Sequence, residues 1–182
     1  MDPEHKLRSE IIVNYLREYK PEGPLMGIEI GVFTGDLIIC LLEMEPRITK
    51  IWGIDPYCAG EGYRNPQEQW DIFYRKTLFS LAKFGDRATI IRDKSQYFID
   101  YPFPKLDFVE IDGLHTYDQV SFEIHHFERL INSGGLLCGH DYFGPYHHGV
   151  KKAVRDYARF HRREVKASET QHEAGIWWWR VP

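Results

Sequence analysis

The sequence holds 182 residues, the size of one domain with one core and little room for a second. Hydrophobic residues make up 43% and aromatic residues 15%, enough apolar surface to offset ordering entropy and to exclude a disordered chain. Lysine and arginine number 23 against 27 acidic residues, a net charge of -4; no overall positive field draws nucleic acid or an anionic membrane, and the expected partner is a small molecule.

In chain order, Ile11, Ile12, Tyr15 and Leu16 recur at helical spacing until Pro21 and Gly23 stop the helix before a first strand at residues 26–30. After a turn at 31–35, Leu37, Ile38, Leu41 and Met44 mark a second helix closed by Pro46. Residues 51–54 then read as a buried strand ending at Asp55. Residues 57–66 lack periodicity and read as a mobile loop, and a helical pattern follows through Trp70, Phe73, Leu78 and Leu81 to Gly85. Short apolar runs predict strands at 88–91, 106–111 and 135–139. Between the last two, Thr116 and Gln119 have capping-box spacing, and Val120, Ile124, Phe127 and Ile131 trace one apolar stripe. A final helix over 149–160 precedes two segments, 165–168 and 176–181, close enough to pair as an antiparallel hairpin. Trp177, Trp178 and Trp179 would alternate there between the faces of a sheet edge. Alternating strands and helices force right-handed parallel crossovers. The expected architecture is therefore a Rossmann-like three-layer α/β sandwich, a mostly parallel seven-stranded sheet with an antiparallel C-terminal hairpin, formed by residues 1–182 as a single domain.

Cys40, Cys58 and Cys138 are odd in number, far apart and without C-x-x-C pairing, which argues against a disulfide framework and a zinc knuckle and fits a reducing compartment. The N-terminus is charged, and no apolar run approaches the ~18 residues of a membrane span. A cytoplasmic location follows as the expectation.

Two motifs describe a nucleoside site. A strand ends in Glu29-x-Gly31-x-x-x-Gly35 and a helix begins; the glycines let a ligand touch backbone, and the helix N-terminus offers free amides to an anionic group. Asp55 stands at the end of the next strand, where a carboxylate can accept hydrogen bonds from both hydroxyls of a ribose. Taken singly, these features also read as a tight strand-to-helix turn and an Asp-Pro turn.

A second constellation pairs Val-Glu-Ile-Asp-Gly-Leu-His-Thr-Tyr from Val109 with Leu-Cys-Gly-His-Asp-Tyr from Leu137. Asp112 and the His140-Asp141 pair each follow a predicted parallel strand, so adjacent strands would bring them to one edge of a cleft. Two carboxylates suit a hard divalent cation such as Mg²⁺, and His140 makes the set more accepting of a transition metal such as Mn²⁺. The alternative is that Asp112 caps the following turn and His140 bonds backbone.

On these residues the chain resembles class I S-adenosylmethionine-dependent methyltransferases, and is similar to the small metal-dependent catechol-type and sugar O-methyltransferases. The resemblance implies that Glu29, Gly31, Phe33 and Gly35 lie beneath the methionine part of the cofactor and that Asp55 holds its ribose. It implies that Asp93, Ser95 and Gln96 form the adenine-contacting turn and that Asp112 borders the cofactor. Asp112, His140 and Asp141 match the family's three metal positions, and His115 falls where the family places its general base. The sequence departs in having Leu37 where a serine often touches the cofactor carboxylate, and His140 where Asp or Glu is common. Long N-terminal covering helices are largely missing, so dimerisation to a homodimer or the loop before Trp70 is expected to substitute.

The implied reaction moves a methyl group to a hydroxyl oxygen of a small-molecule acceptor. It needs alignment and an oxyanion rather than covalent catalysis. A bound cation lowers the pKa of a coordinated oxygen while neutral His115 takes the proton, and the cation's charge, disfavouring a neighbouring imidazolium, places the expected activity inflection below ~6.5. Tyr63, Arg64, Trp70 and residues 142–146 would set acceptor choice, with His147 and His148 as further contacts. Three other readings stay open. An NAD-dependent dehydrogenase would need closely spaced glycines absent between Gly31 and Gly35. A metal-dependent hydroxylase or hydrolase would leave Asp55 and Ser95 without a purpose, and a cofactor-binding scaffold would lack catalysis.

Overall fold

The computed structural model describes residues 3–60, 65–143, 148–168 and 175–182. The elements run α1 (Pro3–Tyr19), β1 (Leu25–Ile30), α2 (Asp36–Met44), β2 (Ile48–Ile54), α3 (Gln67–Leu81), β3 (Ala88–Ile91), β4 (Leu106–Ile111), α4 (Tyr117–Phe127), β5 (Ile131–Gly139), α5 (His148–His161), β6 (Lys166–Ser168) and β7 (Ile176–Arg180). Seven strands form one sheet in the order β3-β2-β1-β4-β5-β7-β6. The first five are parallel, and β7 runs antiparallel to both β5 and β6. This is the expected Rossmann-like sandwich.

Strand alternation sends successive residues to opposite faces, and each face has its own core. Ile12, Val13 and Leu16 of α1 and Leu37, Ile38 and Leu41 of α2 pack with Phe108 and Leu136. On the other side Val120, Ile124 and Phe127 of α4 and Val150 and Val154 of α5 pack with Ile28, Val109 and Ile111. Burying each such side chain contributes about 1.5–3 kcal/mol.

Several boundaries differ from the sequence reading. Ile131, expected on the helical stripe, opens β5 because the helix tightens into a 3-10 turn at Glu128–Leu130. The tryptophan strand is interior rather than an edge: β6 covers β7, and Trp177 and Trp179 are buried 5.0 Å apart while Trp178 is half-buried on the other face. Leu78 of α3 is 42% exposed, and buried Thr77 stands in its place on the packed face. Cys40, Cys58 and Cys138 are free. Among the described residues no helix is long and apolar enough to cross a membrane.

Candidate functional site

The strand order reverses between β1 and β4, so the loops after these strands part from a common crevice, the place where doubly wound sheets bind ligands. Gly31 and Asp112 meet there. Asp112 N–H donates to the Ile30 carbonyl at 2.7 Å. Gly31 has φ +87, and a Cβ on it would collide with the Asp112 carbonyl, so both conformation and space demand glycine. Phe33 adopts the left-handed region at φ 51 without being glycine, a strain that persists only where neighbours fix it.

Asp55 does the fixing. Its Oδ2 accepts N–H bonds from Val32 (2.9 Å) and Phe33 (3.0 Å), and its Oδ1 accepts one from Tyr57 (2.7 Å). Thr77 Oγ1 donates to the Phe33 carbonyl at 2.8 Å. A carboxylate offers about four acceptor positions. Asp55 therefore has about one left for a ligand, less than the pair of ribose bonds expected from sequence. Burial pushes its pKa up, against the pull of the three amides.

A cavity of about 530 Å³ opens over this turn, within the range that holds a cofactor-sized ligand. Glu29, Gly31, Phe33, Asp55, Ser95, Gln96, Asp112 and His115 line it, as do His5 and Arg8. Gly35 stands behind, as the left-handed N-cap of α2. Asp93 does not join the lining: it is exposed and its carboxylate accepts the Lys94 N–H at 2.8 Å. Tyr63, Arg64, residues 144–146 and His147 lie outside the described residues.

Glu123 is a lining residue that the sequence reading missed. Ser95 Oγ donates to its Oε1 at 2.7 Å, and Gln119 Nε2 reaches the same atom at 2.7 Å. Thr116 caps α4 by accepting the Gln119 N–H at 3.3 Å. The Gln119 side chain turns into the cavity instead of back to the cap, so only half of the expected capping box forms. Glu123 sits between Val120, Ile124 and Phe127 on the buried side of α4, and an acid in an apolar stripe was the available signal.

Burial pushes the Glu123 carboxyl up to about 7, against the bonds from Gln119 and Ser95. The folded chain thus holds this proton more tightly than the unfolded chain does. The associated stability is complete below the ordinary carboxyl pKa of ~4.3 and is lost as pH rises through about 7. Glu123→Gln is expected to stabilise the protein by about 2 kcal/mol at pH 8 and by little at pH 4.5. Urea unfolding at both pH values checks this, and an equal change at both contradicts it.

Beneath the cavity lies an acidic centre. The β1–β4 register sets Glu29 beside Glu110 on the face toward α1, two carboxyls on an otherwise apolar surface. Arg8 of α1 answers them: buried at 3% exposure, it pairs with Glu110, and its Nη1 stands 2.9 Å from Asp112 Oδ2. Burial raises both glutamates, Glu110 to about 7, although Arg8 opposes the shift. Glu29 Oε2 is buried without a hydrogen-bond partner among the described residues. Arg8 falls one turn before Ile12 and two before Leu16, in line with the buried stripe. With His5 it makes α1 part of the site, supplying cover that was expected from elsewhere.

Past β4 and β5 the predicted catalytic and metal residues converge. His115 Nε2 lies 3.2 Å from Asp112 Oδ1 and 3.0 Å from Asp141 Oδ2. His140 Nδ1 lies 3.9 Å and 3.6 Å from the same two oxygens. Asp141 adopts φ 59, the left-handed conformation that Asp tolerates better than most residues. Burial alone would lower the His115 pKa, but Asp112 and Asp141 outweigh it and push the imidazole up to about 10. Reciprocally, and against burial, Arg8 and His115 hold Asp112 low, and His115 and His140 hold Asp141 low. His115 is thus an imidazolium when the carboxylates have no other cation, which moves the expected inflection upward from ~6.5. Ligand atoms of Asp112, His115 and Asp141 all lie within 4.8 Å of one another. With two carboxylates and nearby imidazoles, the residues fit a divalent cation.

Fold and site together define a doubly wound chain with a cofactor-sized cavity and a carboxylate and imidazole centre at its switch point. The chain belongs to the family described as "Methyltransferase domain", whose model matches residues 28–142, from Ile28 within β1 to Tyr142. It is 24% identical over 144 residues to uncharacterized protein R132 of Acanthamoeba polyphaga mimivirus, covering 75% of this chain and 59% of that protein's length. Among solved structures it is similar to the O-methyltransferase TomG from Streptomyces achromogenes, in complex with SAM, with TM-score 0.69 and 14% identity over 100% of this chain and 80% of that one. SMU.1697c from Streptococcus mutans, in complex with SAH, gives TM-score 0.69 and 15% identity over 95% and 97%. At these identities the structural likeness is one of fold.

Proposed function

We propose that this chain transfers the methyl group of S-adenosylmethionine to a hydroxyl oxygen of a small-molecule acceptor. The polar lining of the cavity carries this reading most directly. Glu29, Asp55, Asp112 and Glu123 line it, burial holds Glu29 and Glu123 toward their neutral forms, and Arg8, the buried cation among them, is already tied to Glu110 and Asp112. The ammonium and ribose hydroxyls of S-adenosylmethionine bring donors to these carboxyl oxygens. The pyrophosphate of a dinucleotide would meet carboxyls where it needs donors. The buried Glu29 Oε2 is an acceptor at the place implied for the methionine part.

The reaction forms an O–CH₃ bond as the S–CH₃ bond breaks, with the electron pair returning to sulfur to give S-adenosylhomocysteine. Asp112, His140 and Asp141 would hold a Mg²⁺ or Mn²⁺ ion, which when bound lowers the pKa of the acceptor hydroxyl. Arg8 holds Asp112 Oδ2 and so leaves Oδ1 facing His115 and Asp141. His115 stands beside these carboxylates and in its neutral form would accept the acceptor's proton; a cation held by Asp112 and Asp141 would weaken the interactions that keep the imidazole protonated.

Asp55→Ala is expected to weaken S-adenosylhomocysteine binding at least tenfold, about 1.4 kcal/mol, because it removes one direct acceptor and loosens the turn under the cofactor. Calorimetry checks it, and an unchanged affinity contradicts the placement. Asp141→Asn is expected to weaken Mn²⁺ binding while leaving cofactor affinity nearly intact, because Asp141 does not line the cofactor cavity. Paramagnetic titration reads the first and calorimetry the second. Labelled-methyl transfer that is equal with and without a strong chelator would count against the metal-assisted form of the reaction.

A further inference from the structure

α5 begins against the centre, and its charge is sorted onto one side. Gly149 packs so closely on the His115 and Tyr117 backbone that a Cβ there would collide with it. Val150, Ala153, Val154 and Ala158 are buried. Lys151, Arg155 and Arg159, each four residues from the next, line up on another side and face a groove of about 600 Å³ shared with Tyr142 and Val165. Residues 148–166 hold seven lysines and arginines against two acids in a chain whose net charge is -4.

The groove's other charges are already matched. Asp156, the carboxylate among its described lining residues, accepts from Lys152 Nζ at 2.5 Å and from Tyr117 Oη at 3.1 Å. Arg163 is held by Glu128 at 2.8 Å. Lys151 Nζ lies 5.5 Å from the Tyr142 ring centroid and 5.3 Å from that of Phe143, next to Asp141. Arg155 and Arg159 are exposed and have no hydrogen bond or ion pair among the described residues. Like charges four residues apart weaken a helix, and neither arginine serves the core.

We propose that the methyl acceptor carries a phosphate or diphosphate group, held by Lys151, Arg155 and Arg159 so that its hydroxyl reaches the His115 centre. The proposal rests on the reading of that centre as a hydroxyl-methylation site. Guanidinium groups bind phosphate bidentately. The stripe is about 12 Å long at ~1.5 Å per residue, which matches one or two phosphates. A nucleic-acid strand needs a longer track and is opposed by the acidic remainder of the chain. The phosphate group is a handle and is unchanged by the reaction.

The test is calorimetry of inorganic pyrophosphate and uridine 5′-diphosphate against the full chain, with and without S-adenosylhomocysteine, at low and moderate KCl. Binding in the micromolar range that falls with salt is expected, weakened at least tenfold by Arg155→Glu/Arg159→Glu, with S-adenosylhomocysteine affinity unchanged within about twofold. Equal binding by the double variant, or none by the wild type, overturns the proposal. Tighter binding of a dodecathymidylate than of the diphosphate overturns it in favour of a nucleic-acid acceptor. Failure of S-adenosylhomocysteine to bind removes the methyltransferase reading, while the pyrophosphate titration still decides whether α5 holds phosphate.

Discussion

His115→Ala is expected to lower methyl transfer by about 10²–10⁴-fold with little change in cofactor affinity, the range for a positioned general base. Only neutral imidazole accepts a proton, so wild-type activity rises with pH through the His115 pKa. Asp112 and Asp141 push that pKa up to about 10. A cation that shares those carboxylates moves the inflection down, and the variant loses it. The same proton bears on stability: with the folded pKa raised, the Asp112–His115–Asp141 bridge contributes fully below ~6.5 and is lost as pH rises through about 10. A pH–rate profile with and without Mn²⁺ checks the assignment. Near-normal turnover of His115→Ala on a proven acceptor would place the base elsewhere.

The largest effect on stability is expected from Arg8. Arg8→Met leaves Glu110 and Asp112 without the cation that separates them from an apolar sheet face, and breaking a buried pair in this way costs about 3–5 kcal/mol. Glu110, already raised to about 7, can take a proton, so the loss should be smaller at pH 6 than at pH 9. Adding Glu110→Gln should recover part of it at pH 9. Urea unfolding of the single and double variants measures both. A loss that does not depend on pH would mean that Arg8 acts through packing alone.

The succession of strands and helices was legible because short apolar runs alternate with helical stripes, and the crossover rule then makes the central sheet parallel with right-handed connections; the strand order came from the structure. The glycine turn and the strand-end acids were legible for a related reason, since the sequence places them where strands end. What stayed hidden depends on contacts between elements distant in sequence. Arg8 reads as a surface charge until the β1–β4 register sets Glu29 beside Glu110 and leaves two acids needing a cation. Gln119 reads as a cap residue until Ser95 and Glu123 draw its side chain inward. The His115 pKa could not be read from an ordinary imidazole value, because it depends on two carboxylates that β4 and β5 bring within 3.2 Å.

The proposed reaction requires that this cleft hold the adenosyl amino acid of a methyl donor or its product rather than a dinucleotide. Calorimetry of S-adenosylhomocysteine and NADH against the wild-type chain tests it most directly. A micromolar dissociation constant is expected for S-adenosylhomocysteine, at least tenfold weaker with Asp55→Ala, with no measurable heat from NADH at the same concentrations. Binding of NADH, or no binding of S-adenosylhomocysteine, would contradict it.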